Sequence, residues 1–139
     1  MVKTIITMDP IKSVPENDTH TNDGAELVFH GRVRDTENDE IIVSLDYEHY
    51  PEMAEKELQI LGEKTVRKFP ISELYCIHRV GEIPIGHLSM QVIIWSPHRL
   101  EAIEAMTWFI STLKRDVPIW KHAVFADGRR IPSKCDHDH

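Results

Sequence analysis

Strand-like and helix-like stretches alternate in this 139-residue chain in the order β, β, β, α, β, β, α, β, which predicts an α+β domain with a largely antiparallel sheet and two main helices. Three observations carry that expectation. Ala25 to Arg34 alternates, with Leu27, Phe29, Gly31 and Val33 on one face and Val28, His30, Arg32 and Arg34 on the other. Ala54, Leu58, Leu61 and Thr65 recur at helical spacing, as do Ala102, Met106, Phe109 and Leu113. Each helical run begins beside a proline and stops at one, Pro51 and Pro70 for the first, Pro97 and Pro118 for the second.

Taken in order, Val2 to Thr7 is a short apolar strand, and Ile11 to Asp23 is a polar connection with room for one helical turn. The Ala25 to Arg34 strand is followed by an acidic, Asn-containing turn or mobile loop from Thr36 to Glu40. Ile41 to Tyr50 resumes strand character and is expected to pair antiparallel with its predecessor. The first helix then spans about 51 to 68. Leu74 to Val80 and Leu88 to Trp95 form two more strands, joined through the turn residues Gly81, Pro84 and Gly86. Ser96 serves as an N-cap with Pro97 in the first helical position, so the second helix spans about 97 to 115. A last extended piece, Trp120 to Ala126, meets the Asp127-Gly128 turn, and residues 131–139 read as a flexible tail.

A hydrophobic content of 41% supports one self-sufficient core, so a single domain covering residues 1–139 is expected. Charge is uneven within the net −7: residues 1–60 hold 14 acids against 5 Lys and Arg, whereas residues 61–139 hold 9 against 11. That balance excludes broad phosphate-backbone binding and favours a local site for a small anion. The start of the chain lacks a signal-like apolar core and no run approaches membrane-spanning length, which predicts a cytoplasmic protein. Two cysteines are too few for a disulfide framework, and Cys76 lies within an apolar strand. The Cys135 to His139 tail offers donors without fixed geometry, so no metal site is expected.

The candidate chemistry lies with the cations. His98 and Arg99 begin the second helix, where the positive end of the dipole disfavours them unless an anion joins the free N–H groups there. Lys114 and Arg115 end the same helix, a place cations favour on dipole grounds alone. Lys121 follows Pro118 and Trp120; with Trp120 anchored by burial, it is displayed from a stiff stem. Neighbouring cations would lower its pKa and suit it to proton transfer. Arg99 and Lys114 are fifteen residues apart, about 22 Å at 1.5 Å per residue, so one small ligand cannot span them within one copy. A two-fold dimer would complete a shared site.

The segments Phe29-His30-Gly31-Arg32-Val33-Arg34, Leu45-Asp46-Tyr47-Glu48-His49-Tyr50 with Met53-Ala54, His78-Arg79-Val80-Gly81, Ser96-Pro97-His98-Arg99, Leu113-Lys114 and Pro118-Ile119-Trp120-Lys121 together resemble the large, catalytic subunit of molybdopterin synthase, the MoaE family. The resemblance covers roughly residues 24–130. It implies an α/β hammerhead-type fold and a homodimer that binds small ubiquitin-like sulfur-carrier subunits in a heterotetramer. It also implies a sulfurtransferase reaction, in which cyclic pyranopterin monophosphate receives sulfur from carrier C-terminal thiocarboxylates to form the dithiolene of molybdopterin. No cofactor is implied. Lys121 and Lys114 fall on the family's catalytic lysines, and Arg34, His98 and Arg99 on its substrate-binding pocket. The pattern departs near the C-terminus, where Ile131 stands in place of a frequent Trp and Lys134-Cys135 near a further Arg.

Residue chemistry alone leaves two rivals open. One is a binding module for the C-terminal tail of a ubiquitin-like protein, which would tolerate Lys121→Gln. The other is a Schiff-base lysine enzyme acting on a phosphorylated carbonyl compound, which borohydride would trap.

Overall fold

The computed structural model describes residues 1–12 and 18–133. The strands are β1 (Val2–Thr7), β2 (Ala25–Arg32), β3 (Thr36–Glu37), β4 (Glu40–Ile41), β5 (Ser44–His49), β6 (Glu73–Arg79), β7 (Gly81–Pro84), β8 (Leu88–Ser96), β9 (Ile119–Val124) and β10 (Arg130–Ser133). The helices are α1 (Met53–Lys68) and α2 (Arg99–Asp116). One sheet runs β1-β6-β8-β2, a second runs β10-β9-β5-β7, and β3 and β4 form a separate hairpin. Among the described residues only β1 and β6 pair in parallel; the other ladders are antiparallel, so the α+β expectation holds.

Two apolar clusters hold these layers. The larger gathers Leu58 and Leu61 of α1, Leu74 and Cys76 of β6, Val92 and Ile94 of β8 and Phe109 and Leu113 of α2. The helical residues among them lie on the predicted apolar faces of α1 and α2, and removal of the whole cluster from water is the main driving force for the sheet-on-helix layer. Helix α1 approaches β1 so closely at Gly62 that a Cβ there would lie 2.4 Å from Val2 Cγ1. A glycine inside the helix is therefore demanded by packing, despite its helix cost of about 1 kcal/mol. The smaller cluster, Val33, Ile42, Leu45, Ile83, Ala123 and Phe125, belongs to the second sheet.

Several expectations are corrected. The predicted Ala25–Arg34 and Ile41–Tyr50 pair does not form: β2 pairs with β8, and β5 pairs with β7 and β9. Leu27 and Phe29 pack on the larger cluster, whereas Ile42 and Leu45 fill the smaller one, so the two strands serve different layers. The turn between them closes only on itself, as the β3–β4 hairpin. Helix α2 starts later than read, with His98 as N-cap and Arg99 first in the helix. Ser96 stays in β8 opposite Ala25, and its hydroxyl donates to the His98 carbonyl at 2.9 Å. Residues expected as turn or tail supply β7 and β10, the two edges of the second sheet, which is where a strand tolerates a proline such as Pro84. The expected connection from Ile11 to Asp23 and the tail lie partly outside the described residues; Lys134 and Cys135 lie wholly outside them.

Candidate active site

A cavity of about 510 Å³ opens where the two sheets and the C-terminal end of α2 meet. Its wall includes Arg32 at the end of β2, Arg34 just beyond it, Glu37 of β3, Tyr47 of β5, His78 of β6, Lys114 of α2 and Lys121 of β9. Lys114 is placed there because the apolar face of α2, ending at Leu113, is seated on the larger core. Val117 caps the helix in an extended conformation, and the chain turns through Pro118 into β9. Lys121 then arises opposite Tyr47 in the β5–β9 ladder.

Arg34, Lys114 and Lys121 are thus brought to one cavity, as candidates spread over almost ninety residues of sequence. His98 and Arg99 are not among its lining residues. They sit at the opposite end of α2, about 22 Å along the axis from Lys114. The axial rise that suggested a second copy is realised in one continuous helix, Arg99–Asp116.

Two details of the predicted Lys121 stem are corrected. Trp120 is 41% exposed; its indole N–H donates to the Glu48 carboxylate at 3.0 Å, so a surface hydrogen bond anchors it instead of burial. The charged group in contact with Lys121 is also an anion, because its Nζ lies 3.5 Å from Glu37 Oε2. The other oxygen of Glu37 lies 3.8 Å from Arg34 Nη2.

Sequence reasoning missed Glu37, His78 and Tyr47 as cavity residues. His78 is buried, and its Nδ1 donates to the Arg79 carbonyl at 2.8 Å, leaving Nε2 with the lone pair. Burial, with smaller contributions from His49 and Lys114, pushes its pKa down from 6.5 to about 4, so the ring is neutral at physiological pH. The Tyr47 ring meets it edge-on, with centroids 5.2 Å apart. A signal for His78 was present in the strict alternation of β6, which puts Leu74, Cys76 and His78 on one inward face.

Cys76 lies on that same inward face with no exposed surface, and burial pushes its thiol pKa up. A thiolate nucleophile is disfavoured there. Among the described residues no group of three His, Cys, Asp or Glu side chains could hold a metal ion, and no helix is long and apolar enough to cross a membrane.

Comparison with known proteins agrees with this architecture. Residues 6–116 match the family described as MoaE protein. The chain is 37% identical over 105 residues to the molybdopterin synthase catalytic subunit of Emericella nidulans, an alignment covering 76% of this chain and 54% of that one. The chain thus spans about half the length of that relative. Its fold superimposes on the crystal structure of molybdopterin synthase from Staphylococcus aureus with a TM-score of 0.79 at 31% identity, covering 90% of this chain and 93% of that one. It also superimposes on a complex of subunits 1 and 2 of molybdopterin-converting factor from Helicobacter pylori with a TM-score of 0.69 at 25% identity, covering 96% and 90%. Since the family match runs from β1 to the end of α2 and so takes in both helices and the Lys114 wall of the cavity, this chain belongs to the MoaE family.

Proposed function

We propose that this protein is the catalytic subunit of a molybdopterin synthase, a cytoplasmic sulfurtransferase that moves sulfur from the C-terminal thiocarboxylate of a small ubiquitin-like carrier to cyclic pyranopterin monophosphate. One observation carries the reading: Arg34, Lys114 and Lys121 converge on a single cavity in a protein of net charge −7. Both the substrate phosphate and the incoming thiocarboxylate are anions, and charge-assisted hydrogen bonds to lysine and arginine are the strong way to hold them.

The chemistry follows from that placement. Arg34, with His98 and Arg99 from a second copy, holds the phosphate, and the carrier tail lies beside Lys114 and Lys121. The thiocarboxylate sulfur attacks the reacting carbon of the pterin and forms the C–S bond, while Lys121 gives a proton to the displaced oxygen. Lys114 stabilises negative charge on the tail and on the acyl intermediate. Water then adds to the carrier's acyl carbon; the acyl–sulfur bond breaks, the carrier leaves as a carboxylate and the sulfur stays on the pterin. A second carrier delivers the second sulfur.

Arrival of sulfur on a partner fits the described residues, among which the one cysteine, Cys76, is buried and not an accessible nucleophile. The homodimer is supported by the separation of Arg99 from the cavity and by exposed apolar side chains near the start of α2, Leu100 and Ile103. A heterotetramer of two such subunits and two carriers gives each site one tail.

Incubation of the protein with thiocarboxylated carrier and the pterin precursor, followed by mass spectrometry, tests the proposal. Gain of two sulfurs by the pterin, with conversion of the carrier terminus to carboxylate, is expected. A stable complex with the carrier and no change in pterin mass would identify a binding module instead.

A further inference from the structure

Among the described residues, the cavity is lined by four cationic side chains, Arg32, Arg34, Lys114 and Lys121, and by one acidic one, Glu37. That carboxylate comes from the β3–β4 hairpin, whose two residues per strand are joined through Asn38 at φ 52° and Asp39 at φ 65°. Two successive left-handed residues make the tight turn that matches strand twist, and Asn and Asp tolerate the conformation.

The hairpin reverses the usual placement of polar and apolar groups. Ile41 is 78% exposed, whereas Glu37 is only 8% exposed. A buried carboxylate costs several kcal/mol unless it is paired, so an inverted pattern of this kind marks a site where local preference yields to function. The hairpin is also held at its base: Val33 and Ile42 on either side are buried in the smaller core, and the Ile42 N–H donates to the Asp35 carbonyl at 3.0 Å. Glu37 is therefore carried by a short, tethered element.

Its two oxygens reach different cations. Oε2 is 3.5 Å from Lys121 Nζ and Oε1 is 3.8 Å from Arg34 Nη2. Lys121 rises from the second sheet and Arg34 leaves the first, so one carboxylate ties together cations from both walls of the cavity.

We propose that Glu37 is a positioning residue for sulfur transfer, holding the Lys121 ammonium and the Arg34 guanidinium at a fixed separation so that proton donor and phosphate holder are set before substrate arrives. The inference rests on the sulfurtransferase reading above. A long lysine side chain in an open cavity samples many rotamers, and a fixed counter-ion removes that freedom before the reaction begins. Glu37 itself touches neither sulfur nor pterin carbon.

The test compares wild type with Glu37→Gln, Glu37→Asp and Glu40→Gln in the product assay with saturating thiocarboxylated carrier and varied pterin precursor. Glu40 faces Glu37 across the hairpin but is exposed, so its variant reports on any general effect of charge removal. Glu37→Gln should lower kcat roughly 10- to 100-fold with KM changed less than about threefold, because it loosens geometry more than it alters binding. Glu37→Asp, which keeps the charge but draws it back by one methylene, should recover part of that loss, and Glu40→Gln should behave as wild type. Unchanged kcat in Glu37→Gln would overturn the proposal. A lowered KM with kcat retained would overturn it too, since Glu37 would then be a counter-ion that substrate displaces. Should Glu37→Gln fail to fold, wild-type kcat in Glu37→Asp would be decisive against it. An inactive wild-type protein would instead sink the sulfurtransferase reading, so the two failures are distinguishable.

Discussion

Lys121 stands directly opposite Tyr47 in the antiparallel β5–β9 ladder. Residues so paired project to the same face of a sheet, and both line the cavity. Lys121 is therefore aimed by the register of a ladder and not by the local stem that its sequence suggests. Replacing it should leave that ladder intact. Lys121→Ala is expected to lower sulfur transfer by about 10²- to 10⁴-fold, the range for loss of a positioned proton donor. Its circular dichroism and dimer mass should match wild type; near-normal turnover would refute its role.

The separation of Arg99 from Lys114 along α2 makes a prediction about stoichiometry. Arg99→Ala and Lys121→Ala homodimers should each be nearly inactive. Mixed under conditions that allow subunit exchange, they should recover about a quarter of wild-type activity, because half the dimers are hybrids and each hybrid has one intact site. No recovery despite hybrids seen by native mass spectrometry would show that each copy uses its own Arg99.

Cys76 is buried within the β1-β6-β8-β2 layer, and a raised thiol pKa leaves it unreactive. Iodoacetamide should fail to label it in the native protein and label it on denaturation. Cys76→Ala should keep sulfur transfer within about twofold while costing about 1 kcal/mol of stability, the loss of a small buried group. Abolished transfer in a folded Cys76→Ala protein would mean that the chain itself carries the sulfur.

His78 provides an acid-sensitive element. Its folded pKa of about 4 lies below its ordinary 6.5, so between these values the unfolded chain binds a proton that the folded one does not. Stability from this group is undiminished above pH 6.5, declines as pH falls, and reaches its full loss below about pH 4. A shift of that size corresponds to an upper bound of about 3 kcal/mol. Urea unfolding at pH 7, 5.5 and 4.5 should show a shallower acid decline for His78→Gln than for wild type. Parallel curves would assign the decline to other groups.

The fold was legible where it depended on neighbours along the chain. The strand at β6, the apolar stripes of α1 and α2 and the extended chain after Pro118 follow from residue spacing and backbone sterics, and the structure has them close to where they were read. The β2–β5 pairing was misread because alternation says which face of a strand is apolar and nothing about which partner will cover it. Glu37 was missed for a related reason, since an acidic residue in a polar turn looks solvated until the cations that bury it are known.

By itself, the sequence determined the two helices, most of the long strands, the sparse cysteine chemistry and the identity of the cations, because these rest on local periodicity, side-chain type and proline geometry. Tertiary structure alone decided that Arg34, Lys114 and Lys121 share a cavity, that His98 and Arg99 are not part of its lining, and that Glu37 bridges two of the cations. Those relationships depend on which apolar faces cover one another across long stretches of chain, a competition settled by burial of whole surfaces that no short window of residues contains.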